Sequence, residues 1–187
     1  MTLCLSTARL SLRPLRESDV DWCVDMLCDV DVARYLYSGE KPTERDIRAE
    51  MPLAVRRCAG GGIGIWAIEM EREVGTVFLL PLPVNEPDTN WQLIGGDALP
   101  DAEIELGFIL RRSAWRCGIA TEAARRLIQF AFEQTAIKEL VAVTDADNLA
   151  AKNVLLKCGF TDQGMRRAYA ERCPGFRLTR SDWRLSR

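Results

Sequence analysis

Apolar and polar positions change period several times along the chain, and each change marks an element. In "ARLSLRPL" (8–15), Leu10 and Leu12 alternate with Arg9, Ser11 and Arg13, and Pro14 closes the run. That pattern is a strand with one buried face. In "ESDVDWCVDMLCD" (17–29), Val20, Cys23, Val24, Leu27 and Cys28 recur at helical spacing, with Ser18 placed as a cap. "KPTERDIRAEMPLAVRRC" (41–58) reads as a second helix; Thr43 and Asp46 form a capping pair, and Pro52 is placed to kink or divide it. "GIWAIEMEREVGTVFLLPL" (64–82) is a hairpin around a polar turn near Glu71–Glu73. Residues 83–101, rich in Pro, Asn, Asp and Gly, form a long loop.

The second half continues in the same way. In "AEIELGFIL" (102–110), alternation puts Glu103, Glu105, Gly107 and Ile109 on one face, and Ile104, Leu106, Phe108 and Leu110 on the other. From Ile119 to Gln134 the residues Ala120, Ala123, Ala124, Leu127, Ile128, Ala131 and Phe132 draw one apolar stripe, which is a helix. "KELVAVTD" (138–145) is a strand. "NLAAKNVLLKCGF" (148–160) is a short helix capped by Asn148, and the arginine-rich tail holds one or two last strands. Strands and helices in this order define an α+β fold with a mixed sheet, and no linker splits residues 1–187 into more than one domain.

Composition narrows the function. The net charge is -2, so no overall polycation draws the chain to nucleic acid or a membrane surface. The tail from Met165 to Arg187 carries seven arginines against Glu171 and Asp182, but without a recognition motif it reads as solvated strands. The longest apolar stretch, Val74 to Val84, is too short for a membrane span and is broken by Pro81 and Pro83. The N-terminus lacks the basic and apolar regions of a signal peptide, so a cytoplasmic protein is expected. The seven cysteines are irregularly spaced and read as free thiols, mostly buried. The chain has no histidine, which excludes Ser-His-Asp and Cys-His chemistry and argues against a zinc site; no metal is expected. A general base must come from Asp, Glu, Lys, Tyr, Cys, a terminus or water.

Charge is unevenly placed around one turn. Between 81 and 110 stand Glu86, Asp88, Asp97, Asp101, Glu103 and Glu105 with no Lys or Arg. Between 111 and 126 stand Arg111, Arg112, Arg116, Arg125 and Arg126 against Glu122 alone. Within the basic stretch, "AWRCGIATEA" (114–123) joins a strand end to a helix start through Gly118. The first turn of a helix has free N–H groups and the positive end of the dipole, so an anion can settle there. An ordinary strand-to-helix turn has the same look. The Gly-Lys-Ser/Thr ending of a nucleotide P-loop is missing, and so are the further glycines of a dinucleotide fingerprint.

"EIELGFILRRSAWRCGIATEAARRLIQFAF" resembles the central motif of the GNAT N-acetyltransferases, in particular the branch of the ribosomal-protein alanine acetyltransferases. Glu105-Leu106-Gly107-Phe108 matches its fourth-strand signature, and Gly118-Ile119-Ala120-Thr121-Glu122-Ala123 its turn. "DADNLAAKNVLLKCGF" resembles the later Asn…Gly-Phe block, and "TARLSLRPLRESDVDWCVDML" the opening of that branch, so the resemblance covers nearly the whole chain.

The resemblance implies a mostly antiparallel central sheet flanked by helices, with the fourth and fifth strands splayed. It implies acetyl-CoA as co-substrate, its pyrophosphate on the backbone of Arg116, Cys117, Gly118, Ile119, Ala120 and Thr121. The pantetheine arm would pair with Phe108, Ile109 and Leu110, and Asn148 is a further contact or simply a helix cap. Glu105 is the candidate base, Glu103 the runner-up, and a plain surface acid the alternative for both. A neutral amine attacks the thioester through a tetrahedral species, and a backbone N–H of the splayed strand holds the oxyanion.

The family's tyrosine acid is replaced by Leu155 and the branch's serine by Ala151; Tyr169 is a remaining phenol whose spacing carries no argument. Trp22, Tyr35 and Tyr37 are candidates for the acceptor side, with core packing the plainer reading, and Trp91 is a candidate lid. The acceptor would be a protein N-terminus, an aminoglycoside-like antibiotic, a polyamine or an amino acid, and the protein a monomer or homodimer. The competing reading is a non-catalytic acyl-CoA sensor on the same fold.

Overall fold

A computed structural model describes residues 3–36 and 41–185. It forms one eight-stranded sheet in the order β1-β2-β3-β4-β5-β6-β8-β7. The strands are β1 (Leu5–Ser6), β2 (Ser11–Pro14), β3 (Gly64–Glu69), β4 (Glu73–Pro81), β5 (Ile104–Leu110), β6 (Glu139–Val143), β7 (Thr161–Ala168) and β8 (Glu171–Thr179). The helices are α1 (Val20–Leu27), α2 (Val30–Ala33), α3 (Glu44–Ala54), α4 (Ile119–Gln134), α5 (Leu149–Lys157) and α6 (Arg180–Leu185). Every neighbouring pair of strands is antiparallel except β5 and β6, which run parallel. This is the mixed, mostly antiparallel α+β sheet that the sequence predicts. The strand expected as fourth is the fifth here, because the two-residue β1 adds to the edge.

Alternation along each strand sorts the side chains between two layers. On one face Leu12, Trp66, Ile68, Val77, Leu79, Leu106 and Leu110 pack against the apolar stripe of α4, where Leu127, Ile128, Phe130, Ala131 and Phe132 are buried. Trp66 meets Phe130 edge-on at 5.6 Å between ring centroids. Each large side chain buried there contributes about 1.5–3 kcal/mol. On the other face, Leu15 and Ala67 pack beneath α1 and α3 through Cys23, Ile47 and Met51.

Several local expectations meet their outcome here. Thr43 caps α3 with Asp46 in a reciprocal box, and Asn148 caps α5 by accepting from the Ala151 N–H at 3.0 Å. Ser18 does not cap α1. Its neighbour Asp19 takes the Arg16 N–H at 2.8 Å and both terminal nitrogens of Arg13, at 2.6 and 2.8 Å. A buried guanidinium needs a carboxylate more than a helix start needs a hydroxyl. Pro52 lies inside α3 without dividing it; the helix ends two residues later, so the lost N–H falls in its last turn. Of the seven cysteines, all free, Cys23, Cys58 and Cys158 are buried, Cys28 and Cys173 half-buried, and Cys4 and Cys117 exposed.

The tail arginines are engaged within the fold: Arg166 with Glu103, Arg177 with Glu139, Arg167 with Asn85, and Arg180 with the carbonyls of Thr135 and Ile137. No helix among the described residues is long and apolar enough to cross a membrane.

Candidate active site

Two parallel strands that part company leave backbone groups without partners, and that happens at β5. Its pairing with β4 runs unbroken from Gly75–Leu110 to Pro81–Ile104. Its pairing with β6 is a single position, Glu105 opposite Val141. The phase of β5 decides which groups are left open. The Arg111 N–H donates to Val74 O at 2.9 Å, and Glu103 O accepts from the Leu82 N–H at 2.9 Å. Odd-numbered residues therefore bond toward β4, and even-numbered ones turn toward β6.

A parallel bridge at Glu105 uses the flanking Ile104 and Leu106. Beyond it Phe108 faces the fork with both its N–H and its C=O. The Leu110 carbonyl takes the Trp115 indole at 2.9 Å, which leaves the N–H of Leu110. Of the three residues expected along the pantetheine arm, Phe108 and Leu110 thus face the opening, whereas the backbone of Ile109 is spent on β4. Gly107 leaves room for the Phe78 ring to lie across β5: a Cβ would lie 2.0 Å from its tip.

The turn after β5 gives the second half of the site. A short 3-10 turn (Arg112–Ala114) and Trp115 lead to Arg116 with φ of 60° and Gly118 with φ of 76°, and α4 begins at Ile119. Gly118 sits in the left-handed region, and no side chain caps the helix. The first N–H to close onto this turn is that of Glu122, on Gly118 O at 3.1 Å. Among the described residues, the N–H groups from Arg116 to Thr121 meet no backbone or side-chain acceptor. Six adjacent uncapped donors at the positive end of a sixteen-residue helix suit a phosphate group.

The arginines sort themselves around this cradle. Arg111 lies by Trp22 and Asp25, Arg112 pairs with Asp31, and Arg125 and Arg126 bond to the carbonyls of Lys157 and Ser6. Arg116, exposed beside the free N–H groups, has no ion-pair partner among the described residues. Ala120 is small because the core requires it. Its side chain is 8% exposed and packs into the main core, so only its N–H belongs to the turn.

Glu122 is a working residue that spacing alone does not single out. It accepts from Thr7 Oγ1 at 2.5 Å and from Arg9 Nε at 2.8 Å, while Arg9 also donates to Cys117 O. The bend between β1 and β2 is thereby tied to the turn, and the hydroxyl and guanidinium hold the Glu122 carboxyl below its usual range.

Glu105 stands where the fork opens. It is 3% exposed, so it is no surface acid. Tyr169 Oη donates to its Oε2 at 2.5 Å. Burial pushes the Glu105 carboxyl up to about 7, against the opposing pull of the Tyr169 phenol, the Val143 N–H and the Arg166 charge. Val143 is the residue of β6 that faces the gap two positions beyond the bridge. Glu103 lies on the same face but is exposed, and its carboxylate is paired with Arg166. Burial and then Asp88, from the acidic loop, raise Glu50 of α3, while burial and then Glu105 raise the Tyr169 phenol, with Asp88 adding to that.

The remaining candidates are spread more widely. Trp22 packs on the α1–α3 cluster beside Arg111, at the far end of β5 from Glu105. Tyr35 is half-buried under the Arg34 guanidinium, 4.3 Å from its ring centre, and Tyr37 lies outside the described residues. Trp91 packs against the main core, so its bulk is anchored rather than poised as a lid. Asn148 spends its oxygen on the cap of α5. Leu155 is buried in the core, and Ala151 is part of that cap, so neither position offers a proton. No cluster of potential metal ligands occurs among the described residues.

A forked sheet with free backbone on one arm and an uncapped helix start beyond it suits an extended, phosphate-bearing acyl carrier. The family model for the acetyltransferase (GNAT) domain matches residues 9–161, and the chain belongs to that family. It is an acetyltransferase with acetyl-CoA as co-substrate. It is 27% identical over 190 aligned positions to the FsC-acetyl coenzyme A-N(2)-transacetylase of Aspergillus fumigatus, covering 96% of this chain and 77% of that protein. The fold matches AAC(6')-Ib in complex with ribostamycin and coenzyme A with a TM-score of 0.76 at 16% identity, over 96% of this chain and 98% of that one. It matches an acetyltransferase (GNAT family) from Bacillus anthracis with a TM-score of 0.72 at 16% identity, over 95% and 99% of the two chains.

Proposed function

We propose that the protein moves the acetyl group of acetyl-CoA to a primary amine within a ternary complex, with Glu105 as the base. The observation that carries this reading is a buried carboxyl, raised to about 7, at the mouth of the fork. A base with that affinity for protons is half-ionised near neutrality and can both take and release one. Bound acetyl-CoA supplies an acyl carbon activated by a thiolate leaving group. The free N–H groups from Arg116 to Thr121, with the Arg116 charge, hold its phosphates. Phe108 and the N–H of Leu110 line its arm, and the Phe108 N–H donates to the oxygen that gains negative charge during attack. Glu105 receives the proton that the amine gives up.

The acceptor is a cationic amine in its resting state. Asp88 and the rest of the unrelieved acidic loop, with Glu50 of α3 beside them, favour its approach, and a protein N-terminus, aminoglycoside or polyamine all meet that description. The resemblance of its motifs to those of the ribosomal-protein alanine acetyltransferases supports the N-terminal amine among them.

A screen of peptides, aminoglycosides and polyamines by thiol release identifies the acceptor. With it, Glu105→Gln is expected to lower kcat by about 100-fold or more while acetyl-CoA still binds. Unchanged turnover in Glu105→Gln overturns the base assignment. Acetyl-CoA binding with no amine acetylated across the panel overturns the transferase reading in favour of a sensor.

A further inference from the structure

Tyr169 reaches the candidate base from a distant part of the chain, and its backbone is arranged for that purpose. It lies in the two-residue turn between β7 and β8, where Tyr169 and Ala170 have φ of 52° and 59°. Both central residues left-handed is the geometry of a type I′ hairpin turn, for which glycine and asparagine are the ordinary occupants. A bulky aromatic residue there is an outlier that the surroundings must enforce. They do so with two backbone bonds: the Tyr169 N–H to Pro83 O at 2.9 Å and the Ala170 N–H to Val84 O at 3.2 Å. The hairpin tip is thereby fastened to the chain leaving β4, and the phenol is carried under the sheet to Glu105 Oε2.

We propose that Tyr169 is the positioning residue for the Glu105 carboxylate, holding it ionised and turned into the fork between β5 and β6 for the arriving amine. This rests on Glu105 being the base. The Tyr169 Oη bond fixes one carboxylate oxygen, and the Val143 N–H meets the same carboxylate from the β6 side of the gap. The ionisable groups that face this pair come from every neighbouring element. Arg166 of β7 attracts the Glu105 charge and is itself matched by Glu103; Cys173 of β8 is raised by burial and then by Glu105; Asp88 of the loop lies against the phenol. Among these, the phenol is the one that donates a side-chain hydrogen bond to Glu105. A donor to the charged form favours it, so its loss makes the carboxyl harder to ionise.

The test is the pH dependence of kcat/KM with one fixed acceptor, measured for the wild type, Tyr169→Phe, Glu105→Gln and the double variant. Tyr169→Phe is expected to move the acid limb upward by about one pH unit and to lower kcat several-fold at pH 7. The KM for acetyl-CoA should stay unchanged, and at pH 9 most of the rate should return. In the Glu105→Gln background the same change should have no further effect. An acid limb unmoved by Tyr169→Phe, or an equal loss in the Glu105→Gln background, overturns the positioning role. If Glu105→Gln itself keeps the acid limb, the base assignment fails instead. Thermal unfolding and acetyl-CoA binding of Tyr169→Phe separate loss of fold from loss of alignment. If the phenylalanine variant does not fold, Tyr169→Leu and Tyr169→His repeat the comparison, the first without a donor and the second with one. A limb raised in Tyr169→Leu and brought back toward the wild type in Tyr169→His would support the proposal. A limb left in place by Tyr169→Leu would overturn it.

Discussion

Glu105 and Tyr169 show how differently two partners in one contact can be written into a chain. Glu105 is legible because its neighbours Leu106, Gly107 and Phe108 belong to a local pattern. Tyr169 lies 64 residues away in sequence, and nothing near it names its target. A backbone turn with both residues left-handed carries it there, and left-handed φ is what sequence pattern conveys least well for non-glycine residues. The raised Glu105 carboxyl also has a consequence for stability. Its native form binds a proton more tightly than the unfolded chain, where the carboxyl keeps its ordinary value of 4.5. The protein therefore loses stability as pH rises from about 4.5 to about 7, with no further loss from this group above that. Glu105→Gln should be more stable than the wild type at pH 8 by roughly 3 kcal/mol, with the gain vanishing near pH 4.5. Urea denaturation at the two pH values measures this; a gain of equal size at both would mean that the charge is not its source.

At the scale of elements, helices and hairpins follow from period and caps, but what each helix start is for does not. α3 and α5 begin on side-chain caps from Thr43 and Asn148, while α4 begins on Gly118 with none. The difference is visible in the sequence as glycine where a Thr or Asn would stabilise the helix, and the cost of that choice is only a few tenths of a kcal/mol, roughly 0.3. Gly118→Ala tests whether a ligand uses the space. A Cβ there would lie 3.6 Å from the nearest protein atom, Arg9 Nη2, so the protein itself has room. The left-handed φ of 76° alone should cost roughly 1 kcal/mol of stability. Acetyl-CoA affinity is expected to fall by tenfold or more in calorimetric titration, beyond what that strain accounts for. Affinity kept at the wild-type level would place the phosphates elsewhere. The tie from Glu122 to Thr7 and Arg9 is hidden from the sequence because it joins residues more than a hundred positions apart.

Across the molecule, the layers are readable and the charges beneath them are not. Alternation in β2 sends Leu12 to one face, while Arg13, which a strand of this pattern would leave in water, is buried at 8% exposure. Its guanidinium meets Asp19 at 2.6 Å, Glu69 at 2.6 Å and Glu73 at 3.4 Å, which joins β2, α1 and the β3–β4 hairpin on the side of the sheet away from α4. Asp19 first of all, and then Glu69, hold the Arg13 cation well above its ordinary value against the cost of burial. Removing one partner from a buried pair leaves an unmatched charge. Asp19→Ala should therefore destabilise the fold by about 3 kcal/mol, seen as a lower urea midpoint with an unchanged slope. A midpoint shifted by less than a third of that would show Glu69 and Glu73 to be sufficient.

The phase of β5 sets which lengths of chain the fold can accept. Since odd residues bond to β4 and even residues face the fork, deleting or inserting one residue between 104 and 110 would exchange the two sets. The same slip would turn Glu105 toward α4 and present Leu106 or Ile104 to the acceptor. The loop of residues 84–101 is under no such parity, so variants selected from a length-varied library should differ there while keeping the count from Glu105 to Gly118 fixed.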